Sequence, residues 1–216
     1  MARRKQFKKA QYESYSNCYH YESPTKDQWH SIFGNENPIT AELGCGHGSF
    51  ALELARRYPE RNFLGVDLKP TRMYRSAKQA LEEKKITNLA FLHQDLKLIG
   101  DSIGENEIDE IWITFPDPFP KNRQAKHRMI NPSFLSQYRR ILKEGGRFHY
   151  KTDNLALFQY SLEVFVREEG LRLKELSFDL HDAEHLPADF KVLTEYEKKF
   201  LEMEISINYV ELIFAA

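Results

Sequence analysis

The sequence predicts an open, mostly parallel α/β sheet covered by helices on both faces. Short apolar runs alternate with amphipathic stretches through most of its 216 residues, the strand-helix-strand order that parallel pairing with helical crossovers needs. Five runs end in a carboxylate, Glu42, Asp67, Asp95, Asp117 and Asp153, and these would lie along one edge, beyond the carboxyl ends of the strands, where such sheets bind ligands. A single acid there is most often a helix cap, but five in corresponding places are hard to ascribe to capping.

Composition bounds the reading. At 25.5 kDa, with 41% hydrophobic and 29% charged residues, the chain suits one sizeable core. We expect a basic, mobile arm over residues 1–25 and one domain over 26–216. No apolar run approaches the length of a membrane span, and no hydrophobic segment follows the basic start, so a cytoplasmic protein without membrane contact is expected. Two cysteines, Cys18 and Cys45, form no disulfide framework. Net charge is −1, yet residues 1–12 hold five Lys/Arg and no acid, and residues 118–151 hold nine Lys/Arg against Glu144 alone. Such segregation suits a polyanion, with solvated segments that never meet as the equally weighted alternative.

Taken in order, residues 28–33 predict a short helix. Ile39 to Ala41 predicts the first strand, leading into Glu42-Leu43-Gly44-Cys45-Gly46-His47-Gly48. Phe50, Ala51, Leu54 and Ala55 then repeat at helical spacing until Pro59. Glycines at a strand-helix turn let backbone and ligand approach closely. The third glycine comes one residue earlier than in a dinucleotide fingerprint, which favours a ligand without a pyrophosphate. Glu42 closes an apolar strand, so a cation or a set of hydrogen-bond donors should sit against it. Cys45 reads as a small buried side chain.

Strands follow at residues 62–66, 89–92 and 108–115, the first two separated by a helix over 70–83. Asn131-Pro132 starts a helix whose face is Phe134, Leu135, Tyr138, Ile141 and Leu142, stopped by Gly145-Gly146. A fifth strand over 147–151, a helix over 154–168 and strands over 171–180 and 204–214 complete the chain. The last two leave little room for a crossover and should pair antiparallel. Trp29 and Trp112 read as core or interface residues.

These features resemble the class I S-adenosylmethionine-dependent methyltransferases, in the Glu-x-Gly-x-Gly-x-Gly turn, the Asp closing the second strand and Leu142-Lys143-Glu144-Gly145-Gly146-Arg147-Phe148 before the fifth. The resemblance implies a Rossmann-like, seven-stranded sheet with an antiparallel final strand. S-adenosylmethionine carries an ammonium, a sulfonium and a ribose diol, which acidic acceptors suit. Pro116-Asp117-Pro118-Phe119-Pro120-Lys121, Arg123-Gln124-Ala125-Lys126-His127-Arg128, Lys151-Thr152-Asp153-Asn154 and Thr194-Glu195-Tyr196-Glu197 together resemble the bacterial single-chain tRNA (guanine-N7)-methyltransferases from about residue 38 onward. Phe119 departs from that family's usual Trp, one flat apolar ring for another.

By position, the resemblance implies cofactor contacts at Glu42, Gly44, Gly46, Gly48, Asp67, Asp95 and Asp117. It implies target-nucleotide contacts at Lys121, Asp153, Thr194, Glu195, Tyr196 and Glu197, RNA contacts at Arg123, Gln124, Ala125, Lys126, His127 and Arg128, and the guanosine at position 46 of the tRNA variable loop as substrate. Guanine N7 carries a lone pair and no proton at neutral pH, so no general base is required, and alignment with electrostatics must do the work. Asp117 and Asp153 are assigned to it, with Asp117 as the catalytic residue.

Other readings stand beside these. The Pro-rich segment after the fourth strand also suits methylation of another RNA base or an exocyclic amine. A nicotinamide-dependent oxidoreductase is disfavoured by the glycine spacing, and a non-catalytic RNA binder by the retained carboxylates. Thr194 and Glu197 form a capping-box pattern that is a structural account in itself. His181-Asp182-Ala183-Glu184-His185 matches a zinc-protease pattern, but Leu186-Pro187 would interrupt the helix it needs, so no metal is expected. No obligate protein partner is implied, and monomer and homodimer both stand open.

Overall fold

Strand β2 (Ile39–Leu43) runs through the middle of an eight-stranded sheet, buried along its whole length. The computed structural model describes residues 2–214, the side chains of Ala2, Asp189 and Glu195 excepted. Strands β3 (Asn62–Asp67) and β5 (Ile108–Thr114) flank β2 in parallel. Beyond β3 lie β4 (Leu89–His93) and β1 (Cys18–His20), and beyond β5 lies β6 (Leu142–Thr152), all parallel. Strand β8 (Asn208–Phe214) runs antiparallel to β6 and to the edge strand β7 (Leu171–Ser177), as expected where no crossover fits.

Helices cover both faces. On one, α2 (Trp29–Phe33), α5 (Pro132–Ile141) and α6 (Leu155–Arg167) bring Trp29, Tyr138 and Phe158 against Leu43, Ile111 and Phe148. On the other, α1 (Ala2–Glu13), α3 (Ser49–Arg57) and α4 (Pro70–Glu82) bring Tyr12, Phe50 and Met73 against Phe63, Phe91 and Trp112. A side chain of this size contributes about 1.5–3 kcal/mol when fully buried. The caps are local: Asn131 Oδ1 accepts from Phe134 N–H at 3.1 Å and Asn154 Oδ1 from Leu157 N–H at 2.8 Å.

Strand alternation positions the site. Ala41, Leu43, Ile111, Ile113, Phe148 and Tyr150 fill the first face. Glu42, Trp112, Thr114, His149 and Lys151 therefore point to the α3 face.

Three expectations are corrected. The sheet has eight strands rather than seven, because Cys18–His20 adds to the β4 edge. Among the described residues, the basic arm expected over 1–25 lies against the domain: α1 packs along α4, and Tyr12, 1% exposed, donates its hydroxyl to the carbonyls of Tyr19 and Phe91, both at 3.0 Å. Met1 lies outside the described residues. Gly145-Gly146 do not stop α5, which ends at Ile141; they lie within β6, where the pairing with β5 shifts register.

Candidate active site

The turn after β2 is shaped by two glycines for different reasons. Gly48, at φ +73°, caps α3, and a Cβ there would lie 2.3 Å from the Phe91 ring, so packing alone demands glycine. Gly46, at φ +57°, faces open space, with nothing within 4 Å of an added Cβ. Helix α3 has no side-chain cap of its own. Glu42 supplies one across the turn, its Oε2 accepting from Ala51 N–H at 3.2 Å, while Thr114 donates to its Oε1 at 2.8 Å. The donors expected against Glu42 are thus present and neutral. Burial pushes the Glu42 carboxyl up to about 7, against the pull of its hydrogen bonds and of the Lys151 charge. Asp67 ties the same turn to β3, accepting from Gly46 N–H at 2.9 Å and Lys69 N–H at 2.8 Å.

Beside this turn opens a cleft of about 410 Å³, within the range of small-molecule sites. Four of the five strand-end carboxylates line it: Glu42, Asp67, Asp117 and Asp153. Gly44 and Gly46 form its floor, with Thr194 and Tyr196 also on the lining. Asp153 is half-buried, which raises its carboxyl. Tyr196 is 60% exposed, leaving its ring available to a further ligand. The residues fit S-adenosylmethionine: acceptors surround a glycine turn that is open at Gly46, matching a ligand whose ammonium, sulfonium and diol all seek negative or hydrogen-bond-accepting groups.

The loop after β5 is held in an unusual backbone conformation. Phe115 and Phe119 sit at φ +49° and +42°, a region costing non-glycine residues about 1–3 kcal/mol each. Phe115 N–H bonds the Lys151 carbonyl at 2.9 Å, and the Arg128 guanidinium donates to the Phe119 carbonyl at 3.2 and 3.0 Å while lying 4.2 Å over the Tyr160 ring. These contacts hold Asp117 and Pro118 against the cleft.

Several expected contacts lie elsewhere. Asp95 stands outside the cleft lining and caps the turn Leu96–Asp101 through Lys97 N–H at 3.0 Å, and Gly48 faces the core. Arg128, 9% exposed, braces the proline loop and is turned away from solvent, because its guanidinium is already held by a carbonyl and a ring. Lys121, Arg123, Lys126 and His127 are exposed around the turn Asn122–His127, with Gln124 and Ala125 half-buried, and none of the six lines the cleft.

Glu197 is fully buried, completing the capping box of α7 (Glu195–Glu202) with Thr194 and accepting from Lys151 Nζ at 2.7 Å. Its other oxygen meets His181 Nε2 at 2.9 Å, so both oxygens are engaged. The Glu195 side chain lies outside the described residues. Lys151 is itself 0% exposed, with a second bond to the Val192 carbonyl at 3.0 Å and the Phe50 ring 4.7 Å away. Burial lowers its ammonium pKa, opposed by Glu197 and Glu42. The sequence reading missed Lys151 as a partner, along with Thr114, Met129, Arg72 and Phe200 of the lining. Alternation along β5 could have found Thr114, but no local signal links Lys151 to Glu197.

The segment 181–185 is a turn, and among the described residues no group of three or more His, Cys, Asp or Glu side chains is arranged to hold a metal. Among the same residues no helix is long and apolar enough to cross a membrane.

Residues 36–209 match the family described as "Putative methyltransferase". The chain is 44% identical over 186 residues to a tRNA (guanine-N(7)-)-methyltransferase of Brevibacillus brevis, covering 86% of this chain and 85% of that one. It is 37% identical over 191 residues to the protein of the same name from Cytophaga hutchinsonii, covering 88% and 86%. Among solved structures, the 16S rRNA methyltransferase KamB superposes with a TM-score of 0.66 at 14% identity, covering 88% of this chain and 94% of that chain, a likeness of fold.

Proposed function

The chain belongs to the tRNA (guanine-N7)-methyltransferase family, and from that membership we propose how its cleft serves the reaction and which nucleotide it modifies. It is an S-adenosylmethionine-dependent enzyme that methylates guanine N7 in tRNA. The observation that carries the proposal is the convergence of Glu42, Asp67, Asp117 and Asp153 on one cleft beside the open floor at Gly46.

Glu42, Asp67 and the glycine turn hold the methyl donor. When bound, S-adenosylmethionine supplies an electrophilic methyl on a sulfonium centre. Asp117 and Asp153 face the acceptor base. A carboxylate accepts from guanine N1–H and the 2-amino group, a donor pair that adenine does not present, and favours the positive charge that the purine gains as N7 is alkylated. No side chain needs to take a proton from N7. Tyr196, on the rim, offers a ring on which the base stacks, an interaction worth about 1–3 kcal/mol. Lys151 and Glu197 act behind the surface, locking the start of α7 to β6 so that Thr194 and Tyr196 keep their places on the lining. Lys121, Arg123, Lys126 and His127 contact the RNA backbone. Asp95 caps the turn Leu96–Asp101, and Arg128 braces the proline loop. The enzyme works in the cytoplasm, in keeping with its two unpaired cysteines.

The target is the guanosine at position 46 of the variable loop. An unmodified tRNA transcript incubated with methyl-labelled S-adenosylmethionine and mapped by nuclease digestion and mass analysis should carry one N7-methylguanosine there. A G46A transcript should stay unlabelled. Asp153→Ala should lower turnover on tRNA about 100-fold or more while cofactor affinity holds, a general magnitude for removing a preorganised transition-state contact. Label at another guanosine would refute the position, and unchanged turnover would refute the role of Asp153.

A further inference from the structure

The basic segments singled out in the sequence behave differently once folded. Of the nine cations in residues 118–151, Arg139, Arg140, Lys143, Arg147 and Lys151 pair with Glu168, Glu105, Asp109, Glu110 and Glu197, and Arg128 is held by a carbonyl. Most of that positive charge is therefore neutralised within the protein. On α1 and α4 it is not: among the described residues Arg3, Arg4, Lys5, Lys8, Arg72 and Arg75 have no carboxylate within ion-pair distance.

Arg4, Lys8, Arg72 and Arg75 form one surface. Helix α1 lies along α4, fixed by buried Tyr12. Lys8 Nζ stands 5.0 Å over the Tyr74 ring, while the Arg75 guanidinium lies 5.9 Å from that ring and donates to its hydroxyl at 3.0 Å. The Arg75 hydrogen bond, with the charges of Arg75, Lys8 and Arg4, holds the Tyr74 phenol below its ordinary range. Arg72 continues the surface onto the cleft lining, next to His47. Partial desolvation lowers the His47 pKa, helped by Arg72, Arg75 and Lys8. Strand order sets the layout: Arg72 follows β3 and the proline loop follows β5, on opposite sides of β2. The cleft is thus flanked by two basic walls, and the larger share of uncompensated charge is on the α1/α4 side.

We propose that the α1/α4 ridge is a second tRNA-docking surface, in which Arg4, Lys8 and Arg75 hold phosphates of the RNA backbone beside the cleft while Arg123 and Lys126 hold the strand on its other side. The inference rests on tRNA as substrate. Fixed, unpaired cations on two packed helices meet a polyanion with little ordering cost, and neutralising phosphates releases counterions. The ridge should supply affinity and orientation, leaving choice of base to the cleft.

The test uses the full-length protein, an unmodified tRNA transcript and three variants: R4E/K8E, Arg75→Glu, and Arg167→Glu on α6 as a distant charge control. Equilibrium binding at several salt concentrations should show affinity lowered roughly tenfold or more by each ridge variant at 0.1 M salt. The slope of log affinity against log salt should flatten by about one for each phosphate no longer held. The KM for tRNA should rise with kcat and S-adenosylmethionine affinity unchanged, and Arg167→Glu should match wild type. Unaltered affinity in the ridge variants, or an equal loss in Arg167→Glu, would each overturn the proposal. Wild-type protein that makes no N7-methylguanosine would defeat the functional reading, whereas full methylation with an unmoved KM in the ridge variants would defeat only the ridge.

Discussion

Glu42 and Glu110 are equally buried carboxylates on neighbouring strands, each 4% exposed on the α3 face of the sheet, and they are opposites in chemistry. Glu110 sits near the amino end of β5, bonded to Arg61 at 2.8 Å, to Arg147 and to the Trp112 indole at 2.7 Å, with His149 Nε2 at an ion-pair distance of 3.7 Å. Burial would raise its pKa, but His149, Arg61 and Arg147 outweigh burial and hold it far below the usual carboxylate range. Glu42, at the carboxyl end of β2, has two neutral donors and no directly bonded cation, so burial wins. A buried acid with its partners supplied is structure; one left short of a cation at the ligand edge is a binding group.

Substitution should separate the two. Glu110→Ala strands Arg61, Arg147 and His149 beside an emptied site and should cost about 3–5 kcal/mol of unfolding free energy, measured in urea, while the remaining folded protein binds S-adenosylmethionine normally. A loss of cofactor affinity at constant stability would break the contrast.

The pH dependence should carry opposite signs. Glu42 has a folded pKa raised to about 7, so the stability it contributes is complete below its unfolded value and is lost, by about 3 kcal/mol, as pH rises through 7. Glu110 has a depressed folded pKa, so its contribution is present above the unfolded value and is lost as pH falls below that value. Unfolding curves of Glu42→Gln and Glu110→Gln against pH should each remove one limb. If both remove the same limb, the assignment of the two environments is wrong.

Glu42→Gln keeps the shape, with its amide oxygen accepting from Ala51 N–H and its amide nitrogen donating to the Thr114 hydroxyl, but removes the charge. Loss of a charge-assisted contact is worth about 1.5–3 kcal/mol, so S-adenosylmethionine affinity at pH 8 should fall roughly 10- to 150-fold without loss of stability. Wild-type affinity would show that the ligand charge is met elsewhere.

The same contrast shows what is legible in a sequence. Strand ends, the glycine turn and the caps at Asn131, Asn154 and Thr194 are written within a few residues, and the structure has them where local chemistry puts them. Glu42, Asp67, Asp117 and Asp153 share the cleft because parallel strands bring their carboxyl ends together, a topological consequence of alternating elements. Asp95 has the same local signature, yet its backbone turns it into a cap. Arg128 and Glu197 carry charges that look like ligand contacts until partners 9 and 46 residues away absorb them. Helix α1 escaped notice because its anchor is essentially one side chain, Tyr12, which shows no period, and β1 is only three residues long.

The most direct test of a donor seat built around an uncompensated acid is calorimetric titration of S-adenosylmethionine at pH 6 and pH 7 in buffers of different ionisation enthalpy, comparing wild type with Glu42→Gln. Seating a cationic ligand against Glu42 should expel its proton, about half a proton per site at pH 7 and approaching one at pH 6, and the variant should lack this release. Identical proton counts in the two proteins at pH 6 would contradict the account.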